Sequence, residues 1–302
     1  MSPVQKNWLV VLVCSCVGAC ALPLRHKPPR LPPPQSSGQA DFDAELARGD
    51  AAWRSGRSDD ALYAYLRAQQ LEPTSDVPWL RVAALHESLG HPDLALRAWQ
   101  MAALRNERNG LTRERLGYAW LQQGELGRAE VEFTRTLQLD AEAWRAAMGL
   151  GLVAERRLDV ATARLRYDQA LVRQQQDAEL LTSSARVALE QGDTARAANE
   201  LAAALSVGPR AETWLVLGDL IARQGDYPGG LEAYLKHLAP HEAYQRLGEQ
   251  ALRLGDYARA VWYFERAAAA SPIWFERAHK SLVVARERWM EQQRRVQGAP
   301  HQ

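Results

Sequence analysis

The feature that most constrains this chain is that it repeats itself. From Phe42 onward one register carries through seven units, starting near residues 42, 76, 110, 144, 178, 211 and 241, with the first four starts evenly spaced. In that register the eighth position holds Gly49, Ala83, Gly117, Gly151, Ala185, Gly218 and Gly248, and the twentieth holds Ala61, Ala95, Ala129, Ala163, Ala197, Gly230 and Ala260. Columns restricted to glycine and alanine mark places where two helix backbones approach, because a larger side chain would push them apart. The twenty-fourth position is the reverse, with Tyr65, Trp99, Phe133, Tyr167, Leu201, Tyr234 and Phe264. Large residues there fill the space between one hairpin and the next. Glycine stands in the turn of most units (Gly56, Gly90, Gly124, Gly192, Gly225, Gly255), and proline closes several (Pro73, Pro209, Pro272). Both stop a helix and redirect the chain.

The spacing and its columns resemble the tetratricopeptide (TPR) repeat, a unit of two antiparallel helices in about 34 residues. The resemblance implies an all-α fold, a right-handed superhelical solenoid of about seven helix-turn-helix repeats spanning residues 42–274. A single unit of this kind cannot bury its apolar face, so neighbours stack and the last needs a cap. The segment "WFERAHKSLVVARERWMEQQRRV" supplies one. Phe275, Ala278, Leu282, Ala285 and Trp289 recur at helical spacing with charged residues on the other face, so residues 275–302 read as a capping helix and tail. Unit six departs from the pattern. It places Pro228, Gly229 and Gly230 at the start of its second helix, has His237 where a small residue is expected, and stops early, at Pro240. Each glycine weakens a helix by roughly 1 kcal/mol relative to alanine. This unit is either a hinge or partner-docking notch, or a tolerated deletion.

The three cysteines, Cys14, Cys16 and Cys20, all lie in "VLVCSCVGACALPL". A metal site would need ligands from several elements, and a disulfide inside an apolar run would staple nothing. Processing explains them better. Met1 to Asn7 is a short polar start with one cation, "WLVVLVCSCVG" is an uncharged apolar core, and Val17, Gly18 and Ala19 precede Cys20. This resembles the bacterial lipoprotein signal, which implies a signal peptide over 1–19 and lipidation of Cys20; Cys16 is a weaker match. Two alternatives stay open, an uncleaved anchor over the apolar run from Trp8 to Leu24 and a plain secretory signal cut after Ala19 or Ala21. By the same resemblance Ala21, a residue other than Asp after the lipidated cysteine, implies the outer membrane. An inner-membrane anchor or secretion are the alternatives. Residues 20–41 then form a linker. Its proline-rich part, "LPLRHKPPRLPPPQSSGQ", cannot be helix or sheet interior and reaches about 55 Å as polyproline II.

The net charge is +1, and Lys6, Arg25, Lys27 and Arg30 all precede the repeats, which leaves the repeat region with 33 basic and 36 acidic side chains. That balance gives no reason to expect a nucleic-acid partner. No "GxxxxGK", "GxGxxG" or "HExxH" occurs, and His86 with His91, and His237 with His241, straddle turns instead of sharing a helix face. Hence no enzyme, cofactor, metal or small-molecule substrate is expected.

A binding surface remains. By the TPR resemblance the concave groove is lined by the first helix of each unit at the second, fifth, ninth and twelfth positions. In units two to four these are Val77, Leu80, Ala84 and Glu87; Leu111, Glu114, Tyr118 and Leu121; and Arg145, Met148, Leu152 and Glu155. The candidate groove residues are Val77, Leu80, Leu111, Tyr118, Leu121, Arg145, Met148 and Leu152, an apolar strip suited to an extended segment or amphipathic helix of a partner. Alternatively, some of these side chains pack against the neighbouring helix. The sixth positions (Ala47, Arg81, Arg115, Gly149, Ser183, Val216, Arg246) lack the asparagine and lysine of grooves that clamp acidic chaperone tails. Anchor, spacer and solenoid together resemble the TPR lipoproteins of tight-adherence and type IV pilus assembly. That implies a scaffold for a secretin or pilus-assembly component, with an adaptor for peptidoglycan hydrolases or synthases as the alternative.

Overall fold

The computed structural model describes residues 38–297. The cysteines, the apolar run and the proline-rich stretch up to residue 37 lie outside the described residues. Among the described residues are fifteen helices and no strand. They pair in sequence as α1 (Gln39–Arg54) with α2 (Ser58–Leu71), α3 (Val77–Ser88) with α4 (Pro92–Arg105), α5 (Gly110–Gln122) with α6 (Leu126–Leu139), and α7 (Trp144–Arg156) with α8 (Val160–Arg173). Then come α9 (Ala178–Glu190) with α10 (Thr194–Val207), α11 (Ala211–Arg223) with α12 (Tyr227–Tyr234), α13 (Pro240–Arg253) with α14 (Tyr257–Ala270), and α15 (Glu276–Gln297) alone. Seven hairpins plus a C-terminal helix form the all-α solenoid that the repeat implies.

The turns follow from glycine and, in the later units, from aspartate. The turn glycines adopt φ between 71° and 89°, a left-handed conformation in which a Cβ is strained. After the glycines of units five to seven an aspartate caps the next helix: Asp193, Asp226 and Asp256 accept bonds from the amides of Arg196, Gly229 and Arg259 at 3.0, 2.9 and 3.1 Å. Unit four has no turn glycine. Leu158 takes its place at φ 61°, with its side chain in solvent, while Asp159 still caps α8 through the Thr162 amide.

The small and large columns interlock more specifically than their sizes suggest. The large residues of the twenty-fourth column are buried throughout, and the rings reach back onto the eighth position of their own unit. A Cβ at Gly49 would fall 2.4 Å from Tyr65, and one at Gly117, Gly151, Gly218 or Gly248 between 2.3 and 2.7 Å from Phe133, Tyr167, Tyr234 or Phe264. Glycine at the eighth position therefore accompanies a tyrosine or phenylalanine at the twenty-fourth. The two units with alanine there, Ala83 and Ala185, carry Trp99 and Leu201 instead. The constraint is ring against backbone within a hairpin, not only backbone against backbone.

Unit six is shortened at the end opposite to the one its glycines mark. Pro228 sits in the first turn of α12, where its missing N–H costs nothing. Gly229 receives the Asp226 cap, and Gly230 lets α12 approach Gly218 and Ala222 of α11. The helix ends after 8 residues, and a turn closed by Leu238 N–H to Tyr234 O at 2.8 Å leads to Pro240 at the start of α13. Pro240 dictates this, because the residue before a proline avoids the helical region. At the C-terminus, Ala278, Leu282 and Ala285 of α15 are buried and Trp289 packs beside them, as the helical spacing implies.

Candidate functional site

The first helices of units two to four do not present the continuous apolar strip that the register suggests. Leu121 is 7 % exposed and packs with Phe133, Ala146 and Leu150, so it belongs to the core. Met148 is 3 % exposed and packs with Tyr167, Leu180 and Val187. Leu152 is half-buried against these two cores, Leu80 against the cluster of Tyr65, Leu85 and Trp99, and Val77 is half-buried at the start of α3. Leu111 and Arg145 are exposed. The alternative, that several of these side chains pack against neighbouring helices, is what the geometry shows for Leu80, Leu121, Met148 and Leu152. The reason is the stacking of A helices, which sets Leu121 against Ala146 and Leu150, and Met148 against Leu180 and Val187, of the following unit.

The stacking instead leaves a mixed pocket of about 540 Å³ open to the groove. Of the expected residues, Tyr118, Arg145 and Met148 line it; Val77, Leu80, Leu111, Leu121 and Leu152 do not. Met148 gives the floor. Tyr118 spans two units: its ring meets Phe133 edge-on at 4.9 Å, and its hydroxyl donates to the Arg145 carbonyl at 2.7 Å. Burial, chiefly, pushes that phenol well above its ordinary pKa. Trp144 forms a wall, with the Arg145 guanidinium 5.1 Å from its ring centre. Glu87 accepts from the Trp99 indole at 2.8 Å, and Asp177 caps α9 through the amides of Glu179 and Leu180. Arg210, at the start of α11, closes the far side through an ion pair with Glu179. Glu114 stands among them, 8 % exposed, and burial raises its carboxyl pKa against the opposing charges of Arg145 and Arg115.

Sequence reasoning named Glu114 and Glu87 at groove positions but passed over them in favour of apolar neighbours. Trp144, Asp177, Glu179 and Arg210 had no local signal, because they enter from helix starts as much as two units further along the chain. The sixth positions mostly serve the stack. Arg81 Nε lies 3.0 Å from Asp50, and Arg246 Nη2 lies 2.7 Å from Asp219, each joining one hairpin to the next. Gly149 presses against the ring of Phe133. The His86 and His91 rings lie 5.9 Å apart across their turn. Burial, followed by the neighbouring His91, holds His86 below its ordinary pKa. Among the described residues no helix is long and apolar enough to cross a membrane.

No curated protein matches the sequence. Many solved structures do share the fold. The chain is 19 % identical to Pseudomonas aeruginosa PilF over 76 % of its own length and 98 % of that chain, with a TM-score of 0.56. It is 15 % identical to PilW, described as a widely conserved type IV pilus biogenesis factor, over 70 % and 99 %, with a TM-score of 0.58. A tetratricopeptide repeat protein from Parabacteroides merdae gives 16 % identity over 82 % and 99 %, with a TM-score of 0.59. At such identities the likeness concerns the fold alone. The tetratricopeptide repeat family model matches residues 36–76, 83–137 and 183–245, together more than half of the sequence. The chain therefore belongs to the tetratricopeptide repeat family.

Proposed function

We propose that this protein is a non-catalytic scaffold anchored in the bacterial envelope by a lipid on Cys20, binding a component of a pilus or secretion machine through its groove. The observation that carries the binding role is the pocket between Glu87 and Arg210. It is open, runs across the starts and faces of several A helices, and mixes aromatic walls with charged groups, as a surface for a polypeptide does. The fold is one whose units generally bind other proteins. PilW, which has this fold, is described as a type IV pilus biogenesis factor, and that process is the leading proposal for the partner. The anchor follows from the sequence "VGAC", and the proline-rich linker would hold the solenoid away from an outer membrane on its periplasmic side.

Two measurements test the reading. The intact mass and membrane fraction of the native protein are compared with those of Cys20→Ser. Cleavage before Cys20 with added acyl chains is expected for the wild type only, and an unlipidated wild type beginning at Met1 removes the outer-membrane proposal. A pull-down from envelopes is then expected to recover a secretion or pilus component. Recovery of peptidoglycan hydrolases or synthases instead would replace it with the adaptor alternative.

A further inference from the structure

Four carboxylates are buried among the described residues, and three of them are matched. Glu132 meets Arg113 at 2.8 Å and Arg135 at 3.2 Å. Glu200 meets Arg196 at 2.7 Å and Arg164 at 3.6 Å. Asp219 takes Tyr234, Arg246 and Gln250 together. The fourth, Glu114, is as buried as Asp219, yet its carboxylate accepts no hydrogen bond and forms no ion pair. It alone of the four faces the open pocket beside Tyr118. Most other charges of that pocket are engaged, Glu87 by Trp99, Asp177 by the amides of its own helix and Glu179 by Arg210, while Arg145, over Trp144, and Arg115 oppose the Glu114 charge without forming an ion pair with it. Its oxygens reach the water of that pocket, so a donor arriving there meets a carboxylate that holds no hydrogen bond within the protein.

We propose that Glu114 is the receptor for a basic side chain: the groove takes an extended segment of a partner protein carrying arginine or lysine, whose charge is met by Glu114 and whose stem lies between Tyr118 and Trp144. The proposal rests on the scaffold reading and gives the chemistry of its partner. The aromatic faces suit a cationic stem and head. A metal ion is the poorer occupant, because no group of three or more histidine, cysteine or acidic residues gathers among the described residues. Glu114 is fixed on α5 one turn before Tyr118, so the charge and one wall come from the same helix face.

The test uses the full chain and two capped pentapeptides of alanine with a central arginine or a central citrulline, which keeps the shape without the charge, titrated by calorimetry. The arginine peptide is expected to bind about tenfold tighter or more, the worth of one charged hydrogen bond. In Glu114→Gln that preference is expected to vanish, while the variant melts close to the wild type because glutamine keeps the shape of the side chain and no hydrogen bond within the protein is lost. Equal affinity of the two peptides for the wild type overturns the proposal and means that Arg115 or Arg145 swings in to satisfy Glu114. A preference that survives in Glu114→Gln, or absence of arginine-peptide binding at millimolar concentrations, overturns it as well. Envelope capture separates the two levels. Capture of a machine component by wild type and Glu114→Gln alike removes only this contact, whereas capture by neither removes the scaffold reading.

Discussion

The junction between the third and fourth hairpins and that between the sixth and seventh solve one packing problem in opposite ways. In the former, the ring of Phe133 is fully buried between Gly117 of its own unit and Gly149 of the next, with Tyr118 edge-on beside it. No charge is involved. In the latter, the equivalent ring is Tyr234. Its hydroxyl donates to Asp219 at 2.6 Å, Asp219 is held by Arg246 and by Gln250 at 2.7 Å each, and the guanidinium carbon of Arg246 lies 5.5 Å from the ring centre. The position that is Gly149 in one junction is Arg246 in the other, and the position that is Tyr118 in one is Asp219 in the other. A single oxygen on the ring goes with both changes. A hydroxyl buried without a partner costs as much as a good hydrogen bond is worth, so the tyrosine brings its acid and the acid brings its arginine. The junction between the first two hairpins repeats the polar solution with Tyr65, Asp50 and Arg81.

That contrast can be broken experimentally, and the polar junction should break hardest. Asp219→Ala leaves Arg246, Gln250 and the Tyr234 hydroxyl facing one another without an acceptor and is expected to cost about 3 kcal/mol in urea unfolding; a loss below that of Tyr234→Phe would mean the cluster is ornamental. At the apolar junction, Gly149→Ala puts a methyl 2.4 Å from the Phe133 ring and is expected to cost about 2 kcal/mol. Adding Phe133→Leu, which imitates the fifth-to-sixth junction where Leu201 packs with Val216 at the sixth position, should recover part of it, and strict additivity in the double variant would refute the ring as the cause. Tyr234→Phe removes one of several donors to Asp219 and is expected to cost about 1 kcal/mol by the same measurement. Leu158→Gly relieves a left-handed leucine and is expected to raise the stability of the fourth hairpin by about 0.5 kcal/mol after the entropy of glycine is counted. The smallest expected effect is none. Amide exchange in α12 and α13 should be as slow as in α6 and α7, and faster exchange there would restore the hinge.

The columns were legible because they depend on side-chain size within one hairpin. Ala61, Ala129 and Ala260 have to be small wherever neighbouring units sit, and they are fully buried. The groove was legible only in register. Whether Leu121 and Met148 face solvent depends on how far each unit turns against the next, and a list of positions does not contain that angle. Stacking brings Asp177 and Arg210 to the same pocket as Tyr118 from far along the chain. The sixth unit is a third case, in which the sequence leaves both readings open, hinge or notch and tolerated deletion. Its glycines and proline were visible, but they serve a capped first turn and a close approach, and the tight Asp219 cluster cross-links that junction where a hinge was one expectation.

Helix α15 repeats the buried Ala and Leu spacing of α13, with Ala278 and Leu282 standing for Ala243 and Leu247. In α13 the residue after that leucine is Gly248, roofed by the Phe264 ring; in α15 it is Val283, more than half in solvent. A ring cannot close over valine as it does over glycine. The chain thus carries its own tally mark. Stacking could in principle run on without limit, as it does in filaments, and one branched side chain makes the face of α15 a poor template for another hairpin.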